Sequence, residues 1–336
     1  LKYEKTLIYK KSIIFDFQDL PNYHNGTSEF AIRILNEIYN VNVHFDLHVL
    51  ISKKSYLFHI KKIPTGMGIH FLEGHANKFF DICFRPMQFF TNSSLRRSRE
   101  IANKLIFVMQ DIITIRTNYL RTKELHNIFQ DSIKSADKII SISKSVHDDL
   151  NAYFKYKIDT QVIHHGLDEL STSTLNKQYI LVVGNKFYHK SLTECIKQIS
   201  CLDYRFKVLG IEKPIIKYKN IEYVSSGDLT EKEIEDLYKK CSLIVYPSSY
   251  EGFGLPICHS IRYSKHIICF ENQLNFELKD YFSFFKGITL IKNFQDLERC
   301  IENLQINNIP QFEIEEKFTW KNKANEYYSL FEDFLD

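Results

Sequence analysis

The sequence predicts an α/β protein of two Rossmann-like, doubly wound domains facing each other across a cleft. Three observations predict it. Short apolar runs recur along the 336 residues, each followed by a turn and a helical pattern, which is the order of βα units around a parallel sheet. At ~100–200 residues per domain, a chain of this length divides in two. A polar stretch over 168–178, "DELSTSTLNKQ", breaks the alternation near its middle and marks the boundary.

The first half has strand candidates at 12–17, 43–51, 104–109, 138–142 and 160–164, and the second at 179–184, 205–210, 221–224, 242–247 and 266–270. Helix signals fall between them. Gly26 and Thr27 open an amphipathic run with Phe30, Ile34 and Ile38 on one side, Ser143 precedes Val146, Leu150 and Phe154, and Thr230 with Glu233 forms a capping box before Ile234, Leu237 and Tyr238. The expected domains are residues 1–172 and 173–318, with a closing helix over 319–336.

Composition narrows the function. A net charge of +3 is small for a protein that must neutralise many phosphates, so nucleic-acid binding is set aside. Seven cysteines stand singly at 83, 195, 201, 241, 258, 269 and 300, with no metal-ligand spacing, and read as reduced thiols of a cytoplasmic protein. No apolar run reaches the ~18 residues of a membrane span. The chain opens on Leu1 rather than Met, as a segment cut from a longer polypeptide would.

Ligands of doubly wound sheets bind at the carboxyl ends of the strands, so motifs there carry the most weight. The stretch "YPSSYEGFGLPICHSI", 246–261, lies at such an end. Gly252 and Gly254, around Phe253, let backbone approach a ligand; Leu255 and Pro256 open a helix whose free N–H groups and dipole suit a phosphate. Glu251 beside that anion site would be repelled by phosphate, and sugar hydroxyls fit it better. A plain strand-loop-helix turn with a surface glutamate is the bland alternative.

In "VVGNKFYHKSL", 182–192, Gly184 ends a strand and Lys190 lies at the next helix start, where its ammonium would meet the same phosphate or simply face water. Gly26 either aims backbone donors at the cleft or belongs to an ordinary Asn-Gly turn. Asp111, after "FVMQ", either takes a proton from a substrate hydroxyl or caps the next helix. The segment 77–100 alternates aromatics with Arg85, Arg96, Arg97 and Arg99; it reads as core plus a solvated basic turn, or as a peripheral contact with an anionic membrane.

Together these stretches, with "SADKIISISKSVHDDL", "VIHHGLD", "GDLTEKEIEDLYKKCSLIVYPSSYEGFGLP" and "FTWKNKANEYYSLF", resemble the GT-B fold glycosyltransferases of the retaining family 4 (group 1) type over about residues 135–336. The resemblance implies a second domain that binds a nucleotide-diphospho-sugar and a last helix, after Trp320, that crosses back to the first. It implies that Lys190 stabilises the departing diphosphate, that Glu251 holds donor-sugar hydroxyls, and that Val224 and Ser225 lie near the base. It implies retention without a metal or other cofactor, Lys190 and the helix dipole supplying positive charge. The acceptor would be a glycan, a lipid-linked sugar or a protein, in surface polysaccharide assembly, at the inner face of the membrane.

Three positions depart from the family pattern. Asn185, with Lys186 beside it, replaces an arginine; Gln110 replaces a histidine; and His259 replaces a second glutamate eight residues after Glu251, which would otherwise bind ribose. A catalytically silent homologue that holds a partner transferase is therefore the alternative, and an epimerase or hydrolase of nucleotide sugars a third.

Overall fold

The computed structural model describes residues 10–23, 25–74, 78–155, 158–171, 178–211, 216–225, 229–306 and 308–335. The chain divides into two compact units, one of residues 1–142, 146–165 and 320–336, the other of residues 143–145 and 166–319. Part of the 168–178 stretch, including the expected boundary at 172/173, lies outside the described residues.

The first unit is built on a seven-stranded parallel sheet in the order β3-β2-β1-β4-β5-β6-β7. Its strands are β1 (Ser12–Phe17), β2 (Asp46–Ile51), β3 (Gly68–Phe71), β4 (Phe80–Arg85), β5 (Ala102–Met109), β6 (Lys138–Ser141) and β7 (Thr160–Val162). Every residue of β1 is buried, as expected for a central strand covered on both faces. The terminal helix Trp320–Asp333 packs in this unit against the helix Gly26–Val41; the Trp320 ring lies 6.1 Å from that of Phe30, and the Tyr328 hydroxyl accepts from the His44 N–H at 3.1 Å.

The segment 77–100 follows its core reading in part, with a buried strand and then a helix that carries the exposed arginines. Asn77 lies outside the described residues, and residues 80–85 form the central strand β4, paired with β1 and β5. Three of the segment's five aromatics, Phe80, Phe84 and Phe89, are buried in the core, whereas Phe79 and Phe90 are exposed. Arg85 is wholly buried, donating from Nη1 to Asp16 Oδ2 at 3.0 Å, from Nη2 to Asp19 Oδ2 at 2.5 Å and to the Gln88 carbonyl, with the Phe89 ring 4.3 Å away. The arginine-aromatic alternation that suggests a surface segment thus arises from a strand whose charge is neutralised inside the domain. The exposed arginines sit on the following helix, Asn92–Glu100, where Arg96 pairs with Glu100 and Arg99 with Asp137.

The second unit holds a six-stranded parallel sheet in the order β10-β9-β8-β11-β12-β13. Its strands are β8 (Tyr179–Val183), β9 (Phe206–Leu209), β10 (Ile221–Val224), β11 (Cys241–Tyr246), β12 (His266–Phe270) and β13 (Ile288–Ile291). A core of Ile180, Val182, Leu192, Ile199, Val208 and Val245, among others, binds helices to the sheet. The capping box forms: Glu233 N–H donates to Thr230 Oγ1, while the Thr230 N–H donates to Glu233 Oε2 at 2.8 Å. β3, β4 and β13 are strands that the apolar-run reading does not pick out.

Candidate functional site

In the second unit the strand order reverses between β8 and β11, which are direct neighbours. At such a switch point the loops leaving the two strands diverge to opposite faces and open a crevice. Gly184 follows β8 and Glu251 follows β11, so both principal motifs are anchored at this point.

The two loops are stitched together. The His189 carbonyl accepts from the Ser249 N–H and the Ser249 hydroxyl, each at 2.8 Å, and from the Ser248 hydroxyl at 3.3 Å. The stitch fixes the residues that follow: the Lys190 ammonium donates to Glu251 Oε1, and the two side chains are only 16% and 14% exposed. Burial alone would raise the Glu251 carboxyl, but the Lys190 charge and hydrogen bonds from Lys190, Ser248 and Tyr246 outweigh it and hold it below the ordinary carboxylate range. Tyr246, buried at the end of β11, responds in the opposite sense: burial first, then the Glu251 charge and hydrogen bond, push its phenol well above the usual value, so it remains a donor. His189, buried with its ring stacked on Phe187, is held below its usual range by burial and by Lys190, so it is neutral near pH 7. The centre therefore holds one ammonium, one carboxylate and a set of neutral groups.

Two helices start beside this pair, and neither has a side-chain cap. The helix Leu192–Ile199 begins at Ser191, with φ 47°, and the helix Leu255–Arg262 begins at Gly254, with φ 92° and Pro256 in its first turn. Gly254 supplies the left-handed conformation that a side chain resists. A third glycine sets the rim: Gly210, at the end of β9, has φ +112°, and a Cβ there would lie 1.8 Å from the Gly184 carbonyl oxygen. Its N–H donates to the Val224 carbonyl at 2.8 Å, and the Gly184 N–H to that of Leu209 at 3.1 Å, which aligns the ends of β8, β9 and β10.

The remaining expected residues divide. Val224 and Ser225 lie at the end of β10, the sheet edge, two strands from β8. Asn185 Oδ1 accepts from the Phe187 N–H at 3.0 Å, shaping the loop, and Lys186 is exposed. The Gly252 carbonyl accepts from Ser143 Oγ at 2.8 Å. The Phe253 side chain is core, 6.4 Å from the Phe282 ring, which leaves only its backbone to face a ligand. Leu255 is half-buried, and the half-buried His259 ring lies 4.7 Å from that of Tyr238 on the neighbouring helix.

Asp111 and Gly26 belong to the first unit. Asp111 Oδ1 accepts from the Ile113 N–H at 2.9 Å, two residues on, just before the short helix Ile113–Arg116, whose N-cap residue is Ile112 and has no side-chain cap. Gly26 is the exposed first residue of its helix, and Asn25 already caps that helix through the Ser28 N–H at 2.8 Å. Gln110 is buried, its Nε2 donating to the Pro86 carbonyl at 2.7 Å.

Sequence reasoning missed Gly210, Tyr246, Ser248 and His189. "VLG" ending at 210 repeats the "VVG" ending at 184, a signal that was available; the others act through contacts that no spacing encodes. A depression of about 930 Å³ lies along the helix Gln273–Tyr281, and neither Lys190 nor Glu251 lines it.

No family model matches the chain. It is 28% identical over 149 residues to an uncharacterized glycosyltransferase of Methanocaldococcus jannaschii, covering 42% of each chain. It is 23% identical over 243 residues to N,N'-diacetylbacillosaminyl-diphospho-undecaprenol alpha-1,3-N-acetylgalactosaminyltransferase of Campylobacter jejuni, covering 68% of this chain and 59% of that one. The match thus spans less than two thirds of either relative. Among solved structures it is similar to Anabaena HepE in complex with UDP and glucose, with a TM-score of 0.69 and 14% identity, over 96% of this chain and 100% of that one. The chain therefore has the GT-B fold, and both of these relatives in sequence are named as glycosyltransferases.

Proposed function

We propose that the chain transfers a sugar, with retention, from a nucleotide-diphospho-sugar to an acceptor hydroxyl. The observation that carries this reading is the Lys190–Glu251 pair at the switch point of the second sheet, between two helix starts without side-chain caps. Donors and dipoles aimed at one point suit a leaving group that gains negative charge as the bond to the sugar breaks. Lys190 and the helix start at 254–256 would receive the diphosphate, and Glu251 would accept from sugar hydroxyls. Gly184, Asn185, Lys186 and Gly252 would offer close backbone or polar contact, Val224 and Ser225 would flank the base, and His259 the ribose. For Asp111 the reading keeps the role of taking a proton from the acceptor hydroxyl, and for Gly26 that of a backbone donor. Because Lys190 and the helix dipole supply the positive charge, the reading does not call on a metal.

Of the expected acceptors, a lipid-linked one is favoured, since the Campylobacter relative is named for such a substrate. This fits surface glycoconjugate assembly. The silent-homologue reading has one observation in its favour: the Gln110 side chain is engaged with the Pro86 carbonyl, that of Asn185 with the Phe187 N–H, and His259 lies against Tyr238.

Titration with UDP and other nucleoside diphosphates separates the two readings, because a silent scaffold binds none of them. With donor and acceptor supplied, Lys190→Ala and Glu251→Ala each lower turnover by about 100-fold or more. Lys190→Ala also weakens binding of the nucleotide alone, whereas Glu251→Ala weakens only the intact nucleotide-sugar. Undiminished turnover in both variants sinks the assignment.

A further inference from the structure

The helix Lys53–His59 and the 3-10 turn Ile60–Lys62 that continues it carry their polarity the reverse of a usual surface helix. Their inner side is polar: buried Ser55 donates from Oγ to the Leu20 carbonyl at 2.7 Å, and buried His59 bonds through Nε2 to the Pro21 carbonyl at 2.8 Å. Their outer side is apolar at its centre. Lys54, Leu57, Phe58 and Lys61 recur at positions i, i+3, i+4 and i+7, which is one side of a helix. Leu57 is 71% exposed, Phe58 42% and the adjacent Ile60 44%.

Charge surrounds this apolar centre. Lys53, Lys54 and Lys61 are exposed and Lys62 is half-buried, and the stretch 53–62 contains no acidic residue. The near carboxylate is that of Glu73, which accepts from the Lys53 N–H at 3.2 Å. Arg97, exposed on the helix Asn92–Glu100, reaches the Leu72 carbonyl one residue away and adds a further cation. Tyr23, 55% exposed, stands in the loop whose Leu20 and Pro21 carbonyls hold the helix.

Single exposed apolar side chains are ordinary. Three of them on adjacent turns, ringed by lysines on a helix whose polar residues face inward, are the pattern of an interfacial element. We propose that this face docks on an anionic bilayer surface, with Leu57, Phe58 and Ile60 entering the headgroup–acyl boundary and Lys53, Lys54, Lys61 and Lys62 lying among the anionic headgroups. Charge complementarity selects this occupant. A two-fold contact with a second copy would set the same lysines against one another, whereas an anionic lipid surface attracts all four. The docking face is placed on 53–62 rather than on 77–100, where Phe80, Phe84 and Phe89 are buried and Arg85 is paired with Asp16 and Asp19 inside the domain. It goes beyond the transferase reading and does not depend on it.

The test is co-sedimentation of the full chain with vesicles of phosphatidylcholine alone and of phosphatidylcholine mixed with phosphatidylglycerol. The expected result is binding to the mixed vesicles only, weakened by salt. Lys54→Gln with Lys61→Gln lowers the partition coefficient about 25-fold, at roughly fivefold per lysine. Leu57→Glu with Phe58→Glu abolishes binding. Both variants keep the thermal midpoint and UDP affinity of the wild type, because the replaced side chains are exposed. A wild-type chain that ignores the mixed vesicles, or variants that bind them equally well, overturns the proposal. So does a wild-type dimer, without vesicle binding, that Leu57→Glu with Phe58→Glu converts to monomer. A chain that binds vesicles but no nucleotide leaves this proposal standing and removes only the transferase reading.

Discussion

The strand ends of the two units meet the same problem in opposite ways. In the first unit, the polar groups at the ends of β1, β4 and β5 are closed on one another: Arg85 with Asp16 and Asp19, Ser98 Oγ with Asp16, and the Gln110 N–H with Gln88 Oε1. Four of its helices, starting at Gly26, Lys53, Asn92 and Lys123, are capped by Asn25, Ser52, Thr91 and Thr122, and among its α-helices with a described N-cap residue only the one-turn Ile113–Arg116 lacks a side-chain cap. In the second unit, the helices that follow β8 and β11 start from residues of positive φ with no side-chain cap, whereas those starting at Glu231 and Gln273 are capped by Thr230 and Asn272. Capping is thus missing where the Lys190–Glu251 pair sits. A domain that satisfies its own strand ends gains rigidity, and one that leaves backbone donors facing outward gains a site for an anion.

The strongest way to break the comparison is at Arg85. Replacing it by Met leaves Asp16, with no exposed surface, as a buried charge stripped of its main partner, a change that costs about 3–5 kcal/mol. Thermal unfolding should show that loss, while titration with UDP at a temperature where the chain remains folded should give wild-type affinity. A fall in UDP affinity to match would mean that the buried network supports the nucleotide site as well.

Gly210→Ala tests the other side. The added Cβ would meet the Gly184 carbonyl at 1.8 Å, from a backbone φ that a side chain resists, so the ends of β8 and β9 must move apart. The strain is about 1–3 kcal/mol. Its larger consequence is expected in binding: displacement of Gly184 shifts the loop leading to Lys190, and UDP affinity should fall by about tenfold or more. Unchanged affinity would detach the Gly184 rim from the nucleotide site.

Much of this contrast was legible in the sequence. β1, β10 and β12 fall on the apolar runs residue for residue, because each keeps a core of apolar residues with at most one acidic residue among them. β4 was missed because Asp81 and Arg85 interrupt its run, and only the fold shows that Asp81 serves Ser12 and Arg85 serves Asp16. At the site, "EGFGLP" marks a helix start without a polar cap because the glycine and the proline are themselves the signal. Tyr246, Ser248 and His189 were not legible. Ser248 meets His189 across about sixty positions, which leaves no local trace, and Tyr246, a partner of Glu251, reads in the sequence only as the last apolar residue of its strand.

The smallest effect is the sharpest test of what a missing cap means. Asn25→Ala removes the Oδ1 that accepts from the Ser28 N–H at 2.8 Å, and with it one half of the capping box at the start of the helix Gly26–Val41. Loss of such a cap costs about 1 kcal/mol. If caps in the first unit are purely structural, the variant should lose that stability, regain nothing in nucleotide binding and leave turnover within about twofold of wild type. If the start of that helix instead takes part in substrate binding through Gly26, removal of Asn25 frees its first-turn donors, and KM for one substrate should change while kcat holds. Steady-state kinetics with donor and acceptor varied in turn distinguishes the two outcomes, and so decides whether the contrast between capped and uncapped helix starts separates scaffold from site.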